Sequence, residues 1–232
     1  MYKPETIRKY AAKVREIREK ILADGIENYH VFVSERNDKV PCRNVATLPI
    51  FDCPNNRGCN RFCYDIKAAV RFVDNVLFKR VVNSMILELD PERYFREVEE
   101  SMQYQLFYRW HEAGDIKNVD YFAHMVDIAR RNPGTTAWTY TKNYRAVNTW
   151  CDENGGKDAI PSNLIVMFSP WDGLPMENPY NFPVFAVKLK KGNKDYTDAD
   201  FEKMFKCPGK CEICIWKRCG CIGGQNTYAD EH

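Results

Sequence analysis

Three cysteines fall within eleven residues, Cys53-x5-Cys59-x3-Cys63, in a loop of Pro, Asn, Arg and Gly that runs straight into a helix-forming stretch. Thiols this dense in so polar a setting point to a metal. Three thiolates leave one position of a four-iron cluster open, where a ligand can bind. A zinc ion would instead be closed by a fourth ligand, Cys42 or a histidine. The neighbouring Arg57 and Arg61 favour thiolate over thiol. A second group, Cys207-x3-Cys211-x2-Cys214-x4-Cys219-x-Cys221, follows near the other end of the chain. Cys207, Cys211, Cys214 and Cys221 suffice to saturate a cluster or a zinc ion, with Pro208, Gly209, Gly220, Gly223 and Gly224 letting the backbone wrap it. His232 is a further candidate ligand to this group.

Ten cysteines could also form disulfides, so the compartment matters. The N-terminal stretch lacks the apolar core of a signal peptide, and no apolar run approaches the roughly 20 residues that span a bilayer. The expectation is a cytoplasmic protein with no membrane partner, where thiols stay reduced and clustered cysteines read as ligands. With 34 basic and 32 acidic residues, the net charge of +2 does not call for a nucleic acid in bulk, though a local basic groove could still hold one. Trp138, Trp150, Trp171 and Trp216 could stack on bases, but core packing accounts for scattered aromatics more simply.

Periodicity organises the rest. Residues 4–24 carry Ile7, Tyr10, Ala11, Val14, Ile17 and Ile21 at helical spacing, stopped by Gly25. Strands are expected at 29–34, 45–51, 106–115, 135–141, 162–169 and 184–189, and helices at 68–87, 91–104, 118–131, 142–151 and 195–205. Strands alternating with helices predict an α/β fold: a parallel sheet, open or curled into a partial (β/α) barrel, with crossover helices and a small cysteine-rich C-terminal metal knot. The expected division is residues 1–205 as the α/β domain and 206–232 as the appendage.

The segment Arg109-Trp-His-Glu-Ala-Gly-Asp115 gathers a cation, an imidazole and two carboxylates at one strand end. If the strand continues, Arg109 and His111 share a face and could meet one ligand together. His111 is the candidate acid or base near neutral pH, with Glu112 or Asp115 binding an amine or hydroxyl. Gly114 would let the backbone approach that ligand, and Lys142 adjoins from the next strand end. Equally, Asp115 could cap a helix and His111 could be a satisfied buried histidine. His30 and His124 read as structural.

Several motifs occur in one order: Thr47-Leu-Pro-Ile-Phe-Asp-Cys53, Cys59-x3-Cys63-Tyr64, Phe107-Tyr-Arg-Trp-His-x2-Gly-Asp-Ile116, Tyr140-Thr-Lys-x-Tyr144 with Val147-Asn148, and Cys207-Pro-Gly-Lys-Cys211-x2-Cys214 with Gly220-Cys221. Over residues 40–232 the chain resembles the cysteine-rich phage and bacterial family called gene-product-eighty-eight-like. That resemblance implies the α/β domain and the metal sites, in a host cytoplasm where the chain is phage-encoded, and no assigned reaction. A broader similarity is to radical S-adenosylmethionine enzymes, which follow a three-cysteine loop with a Gly-Gly-Glu-type turn and further ligand-facing strand ends. Here the cysteine loop, Glu112-Ala-Gly-Asp115 and Tyr140-Thr-Lys142 fall in that order, although the cysteine spacing differs from the usual three-then-two.

The expectation is therefore an iron–sulfur enzyme of radical S-adenosylmethionine-like type, with an open-site [4Fe–4S] cluster on Cys53, Cys59 and Cys63 and an auxiliary cluster on the second group. Glu112, Gly114, Asp115 and Lys142 would bind the cofactor, and Arg109, His111, Glu112 and Asp115 would serve the chemistry. The alternative is a zinc-stabilised module that binds nucleic acid or a host protein.

Overall fold

Apolar runs separated by amphipathic stretches build a sheet whose strands follow one another in chain order. The computed structural model describes residues 3–56 and 58–231, the side chain of Arg61 apart. Helix α1 (Pro4–Asp24) buries Tyr10, Val14, Ile17 and Ile21, the stripe its spacing predicts. Strand β1 (Val33–Ser34) pairs antiparallel with β2 (Arg43–Val45). From β2 onward every pairing of the main sheet is parallel: β2 to β3 (Phe107–Arg109), β3 to β4 (Thr136–Thr141) and β4 to β5 (Leu164–Phe168). The order is β1-β2-β3-β4-β5.

The crossovers are helical. Between β2 and β3 run α2 (Tyr64–Arg71), α3 (Phe78–Leu89) and α4 (Pro91–Met102); α5 (Val119–Arg131) links β3 to β4, and α6 (Tyr144–Asn154) links β4 to β5. Crossovers of one hand between strands in sequential order put every helix on the same face of a sheet. The core reflects this: residues of α1 to α6 pack in one cluster with Val45, Tyr108, Ala137, Leu164 and Val166. The opposite face carries Phe107, Trp138, Tyr140 and Ile165, and it is covered by the C-terminal cysteine segment through Cys214, Ile215 and Ile222.

That segment belongs to a second sheet. Strands β6 (Phe185–Lys188), β7 (Phe205–Lys206) and β8 (Thr227–Asp230) pair in the order β6-β8-β7, all parallel, around α7 (Asp198–Glu202) and α8 (Cys211–Lys217). A single parallel bridge, Phe168 to Val184, joins the two sheets. The boundary expected at 205/206 falls inside β7, and β8 holds β6 and β7 together.

Where local chemistry is self-contained, expected and observed elements agree. Asn118 caps α5 by accepting from the Tyr121 amide at 2.8 Å, and Asp90 caps α4 by accepting from Arg93 at 3.0 Å with Pro91 in the first turn. Other expectations are corrected. The helix expected over 68–87 is broken at Phe72, whose carbonyl accepts from both Val76 and Leu77 in a wider turn, Val73–Leu77. The strand expected over 45–51 stops at Val45, because Ile50 adopts φ 71° and the Asp52 amide folds back onto Leu48. The strand expected over 29–34 shrinks to two residues, because the Asn83 side chain takes both backbone groups of Phe32, at 2.7 and 2.9 Å.

Asn83 also donates to the Ala46 carbonyl at 2.9 Å, so one buried amide bridges the segment before β1 to the loop after β2. Asn83→Ala leaves three backbone groups without a partner, and the expected loss of stability is about 2–4 kcal/mol, read from urea denaturation.

Candidate metal and ligand site

Loops that leave the carboxyl ends of parallel strands are where a sheet holds variable chemistry most rigidly. After β2, the chain reaches Asp52, whose buried carboxylate accepts from the Leu48 amide at 3.0 Å and from the Ser84 hydroxyl, with the Lys117 ammonium at 3.3 Å. The cysteine loop follows at once. After β3, the Asp115 amide donates to the Asp52 carbonyl at 3.1 Å. Asp115 is itself buried; its carboxylate accepts from Ile116 at 2.7 Å, from the Thr141 hydroxyl at 2.6 Å and from the Lys142 amide at 2.9 Å. The loops after β2, β3 and β4 are thus tied into one body. Asn55 adds a bond to the Lys142 carbonyl at 2.9 Å, and Lys142 reaches the loop after β5 through the Ser169 hydroxyl at 2.9 Å.

The three thiols of the first group lie against this body. Burial pushes the Cys53, Cys59 and Cys63 thiols up. Asp115 acts on Cys53 and Cys59 in the same direction, and Lys142 draws Cys59 back down. Cys53 feels Cys63 and Cys59, and Cys63 feels Cys59, so the trio forms one electrostatic group beside Asp115 and Lys142. Lys142 is therefore the described cation that favours thiolate at Cys59. Arg57 and the Arg61 side chain, expected in that role, lie outside the described residues. Among the described residues no disulfide joins any of the cysteines. Thiols whose protonated form is favoured by burial release protons when a metal binds, so loading is weakened by acid. Among the described residues, no three His, Cys, Asp or Glu side chains stand in the geometry of a bound ion. What fits a metal at the first group is its donor set: three thiols on one loop, unbridged and beside a cation.

The expected union of Arg109 and His111 does not form. Strand alternation holds only as far as Arg109; His111 takes φ 53° and turns its ring to the helix side. There Nδ1 meets the Thr139 hydroxyl at 2.7 Å and Nε2 meets the Tyr121 hydroxyl at 3.0 Å, and Tyr121 continues to Tyr94 at 3.3 Å. Burial, seconded by Arg109, pulls His111 down to about 3. Both ring nitrogens are engaged and the ring is buried, which is the arrangement of a structural histidine, not of an acid or base at an open site. Arg109 lies on the other face, its guanidinium 4.2 Å from the Tyr140 ring centroid and 6.0 Å from that of Trp138, against the second cysteine group.

Glu112 sits on the rim. Its carboxylate accepts from Asn37 at 2.6 Å and lies 3.9 Å from Arg80, while its carbonyl accepts from the Tyr64 hydroxyl at 2.5 Å. Tyr64 follows Cys63, so Glu112 is joined to the cysteine loop. Gly114, expected to admit a ligand, instead admits Thr47: at φ 85°, a Cβ there would stand 1.9 Å from the Thr47 hydroxyl. The residue that the sequence reading missed is Asp52, whose cue was its place directly before Cys53. Of the tryptophans, Trp138 and Trp150 are buried, Trp171 packs on Phe62 and Trp216 is exposed. His30 pairs with Glu97 at the surface, His124 stacks on Phe95, and His232 lies outside the described residues.

In the second group, Cys207, Cys211, Cys214 and Cys221 line one cavity. Gly220 makes the wrap possible: at φ 53°, a Cβ would meet the Phe205 ring at 2.8 Å and the Cys214 sulfur at 3.2 Å. Cys42, expected as a possible fourth ligand to a zinc ion at the first group, instead lies near Cys211 and Arg109, and its thiol is pushed up to about 12 chiefly by burial.

These features define a mixed α/β protein with a mostly parallel sheet, a cysteine loop at its carboxyl edge and no helix among the described residues long and apolar enough to cross a membrane. A family model described as gene product 88 matches residues 35–173, more than half of the chain, and the chain belongs to that family. The matched stretch holds the first cysteine group, Asp115 and Lys142; the second group lies beyond it, so the match covers less than the 40–232 of the sequence resemblance. No curated protein and no solved structure matches the chain.

The depressed His111 gives a signed prediction. Its folded value lies below the ordinary 6.5, so the unfolded chain binds the extra proton and stability is lost as pH falls from about 6.5 toward 3. Urea denaturation of the protein as purified should show a slope approaching ~1.4 kcal/mol per pH unit from this group. His111→Asn, which tolerates positive φ, should reduce that slope by the same amount; an unchanged slope would show that His111 does not carry it.

Proposed function

We propose that this chain is an iron–sulfur protein in which Cys53, Cys59 and Cys63 hold a cluster with one open coordination position, and that it is an enzyme of radical S-adenosylmethionine-like type. The observation that carries this reading is the grouping of three thiols with Asp115 and Lys142 at the carboxyl ends of consecutive parallel strands. Sequential strands with helices on one face also support the partial-barrel form of the sheet. Bound there, a cluster with an open iron supplies one-electron chemistry to its ligand.

The chain's own residues have separable tasks. Asp115 fixes the loop ends: three donors hold its carboxylate, so it sets the distance between the loops after β3 and β4. Lys142 places a positive charge beside Cys59, where it offsets the accumulated thiolate charge and can pair with a carboxylate or phosphate on the ligand. Glu112, partly exposed and held by Asn37 and Arg80, is the group suited to an amine, such as the amino end of S-adenosylmethionine. His111 and Arg109 have no place in this site. The exposed Phe51, Phe62 and Tyr64 next to the cysteines give the edge an apolar rim. That rim is also what a zinc-stabilised module would offer to a nucleic acid or host protein, so metal identity separates the two readings.

The test is metal and sulfide analysis with an absorption spectrum on protein purified without oxygen. About four irons and four sulfides per chain, with absorption near ~400 nm that Cys59→Ser abolishes, support the reading. Zinc held by the first group, with no such absorption, overturns it.

A further inference from the structure

The cavity at the C-terminal cysteines contains a hydrogen-bond donor with no acceptor. Trp138 is fully buried, lines that cavity beside Cys207, Cys211, Cys214 and Cys221, and its indole Nε1 has no partner. Leaving such a group unmade costs about 1–3 kcal/mol. A further donor faces the same thiols: the Tyr140 hydroxyl pairs with Cys221, whereas the Thr227 hydroxyl donates to the Gln225 carbonyl at 2.9 Å. The Arg109 guanidinium, laid over the Tyr140 ring, brings a positive charge to Cys211 and Cys221. A pocket of neutral thiols needs neither these two donors nor a cation. A pocket of metal-bound thiolates needs both, because thiolate sulfur keeps lone pairs that accept hydrogen bonds and carries charge that a cation offsets.

We propose that Cys207, Cys211, Cys214 and Cys221 bind a single thiophilic ion, zinc or ferrous iron, and that Trp138 and Tyr140 are the hydrogen-bond donors that orient and stabilise its thiolates. The cavity, about 20 Å³, has room for one ion. Four thiolates saturate a tetrahedral ion, which makes this a closed, structural site. The sulfurs surround the cavity without yet meeting at ion-binding distances, so binding draws them inward. Trp138 and Tyr140 stand on β4 and Arg109 on β3, within the family-matched stretch, whereas all four ligands come from the C-terminal segment. The ion thereby fastens that segment over the inner face of the main sheet. This inference is independent of the cluster proposed for the first group.

The test uses the full chain, stripped of metal and titrated with Co²⁺ and then Zn²⁺. Wild type should give the visible bands of a tetrahedral cobalt–thiolate site at one Co²⁺ per chain, and Zn²⁺ should displace them. Cys214→Ser/Cys221→Ser should lose these bands, whereas Cys59→Ser in the first group should keep them; Cys207→Ser, at a less buried position, gives the same readout if the double variant does not fold. Tyr140→Phe and Trp138→Phe, which keep the ring and remove the donor, should each weaken Zn²⁺ binding about 10–100-fold in competition with a chromophoric chelator. The proposal is overturned if cobalt bands survive the cysteine replacements, if the C-terminal group takes up about four irons with sulfide, or if both donor variants bind Zn²⁺ as wild type does.

Discussion

Two buried carboxylates set the geometry on which the candidate site depends. Asp52 and Asp115 follow adjacent parallel strands, and the amide of one donates to the carbonyl of the other. Their side chains accept from backbone and hydroxyl groups of the loops after β2 and β4 and from the helix that carries Ser84. Charge-assisted bonds to amides are shorter and stronger than neutral ones, and in a dry setting they leave little freedom. The cysteine loop begins at the residue after Asp52, and Lys142 at the residue after Thr141. A fixed pair of carboxylates therefore fixes where thiols and ammonium can be.

The sheet's two faces have different chemistry as a result of one topological fact. Parallel strands taken in chain order send all crossovers to one side, and that side is filled with apolar helix faces. The other side would be a bare sheet. It carries large amphipathic groups, Trp138, Tyr140 and Arg109, which none of the crossover helices covers, and the cysteine-rich segment with α8 closes over them. The second sheet supplies the leverage: β8 sits between β6 and β7 and so holds both ends of the segment that contains the four thiols.

How far the sequence disclosed this depends on whether each rule is local. The stripe of α1, the Asn118 cap of α5 and the extent of β4 follow from neighbours within a turn or a strand, and they were legible. β1, β2 and β3 are shorter than their apolar runs because their ends are decided by features that periodicity does not carry: the distant Asn83 for the first, the fold-back of Asp52 onto Leu48 for the second, the positive φ of His111 for the third. β8 was not legible at all. Thr227-Tyr-Ala-Asp230 is a poor strand on its own and is one because two partners flank it. In the site, the cysteine grouping was legible from spacing, and so were Asp115 and Lys142 as strand-end residues. The roles of Arg109 and His111 were not, since a strand pattern predicts a shared face only while the strand lasts.

That failure is informative about the inner face. A strand that ended two residues later would have carried His111 toward Arg109 and put two basic groups against the thiol-rich cavity. The left-handed turn at His111 instead sends the imidazole to Thr139 and Tyr121, where it is neutral and fully engaged. Arg109 faces the thiols, held in place by its own backbone through bonds to the Trp110 and His111 carbonyls at 2.9 and 3.3 Å. A guanidinium so fixed, flat on an aromatic ring, keeps its charge without needing a carboxylate partner. The same turn thus removes a titrating group from the cavity and anchors a permanent charge beside it, which is the electrostatic setting that thiolates require.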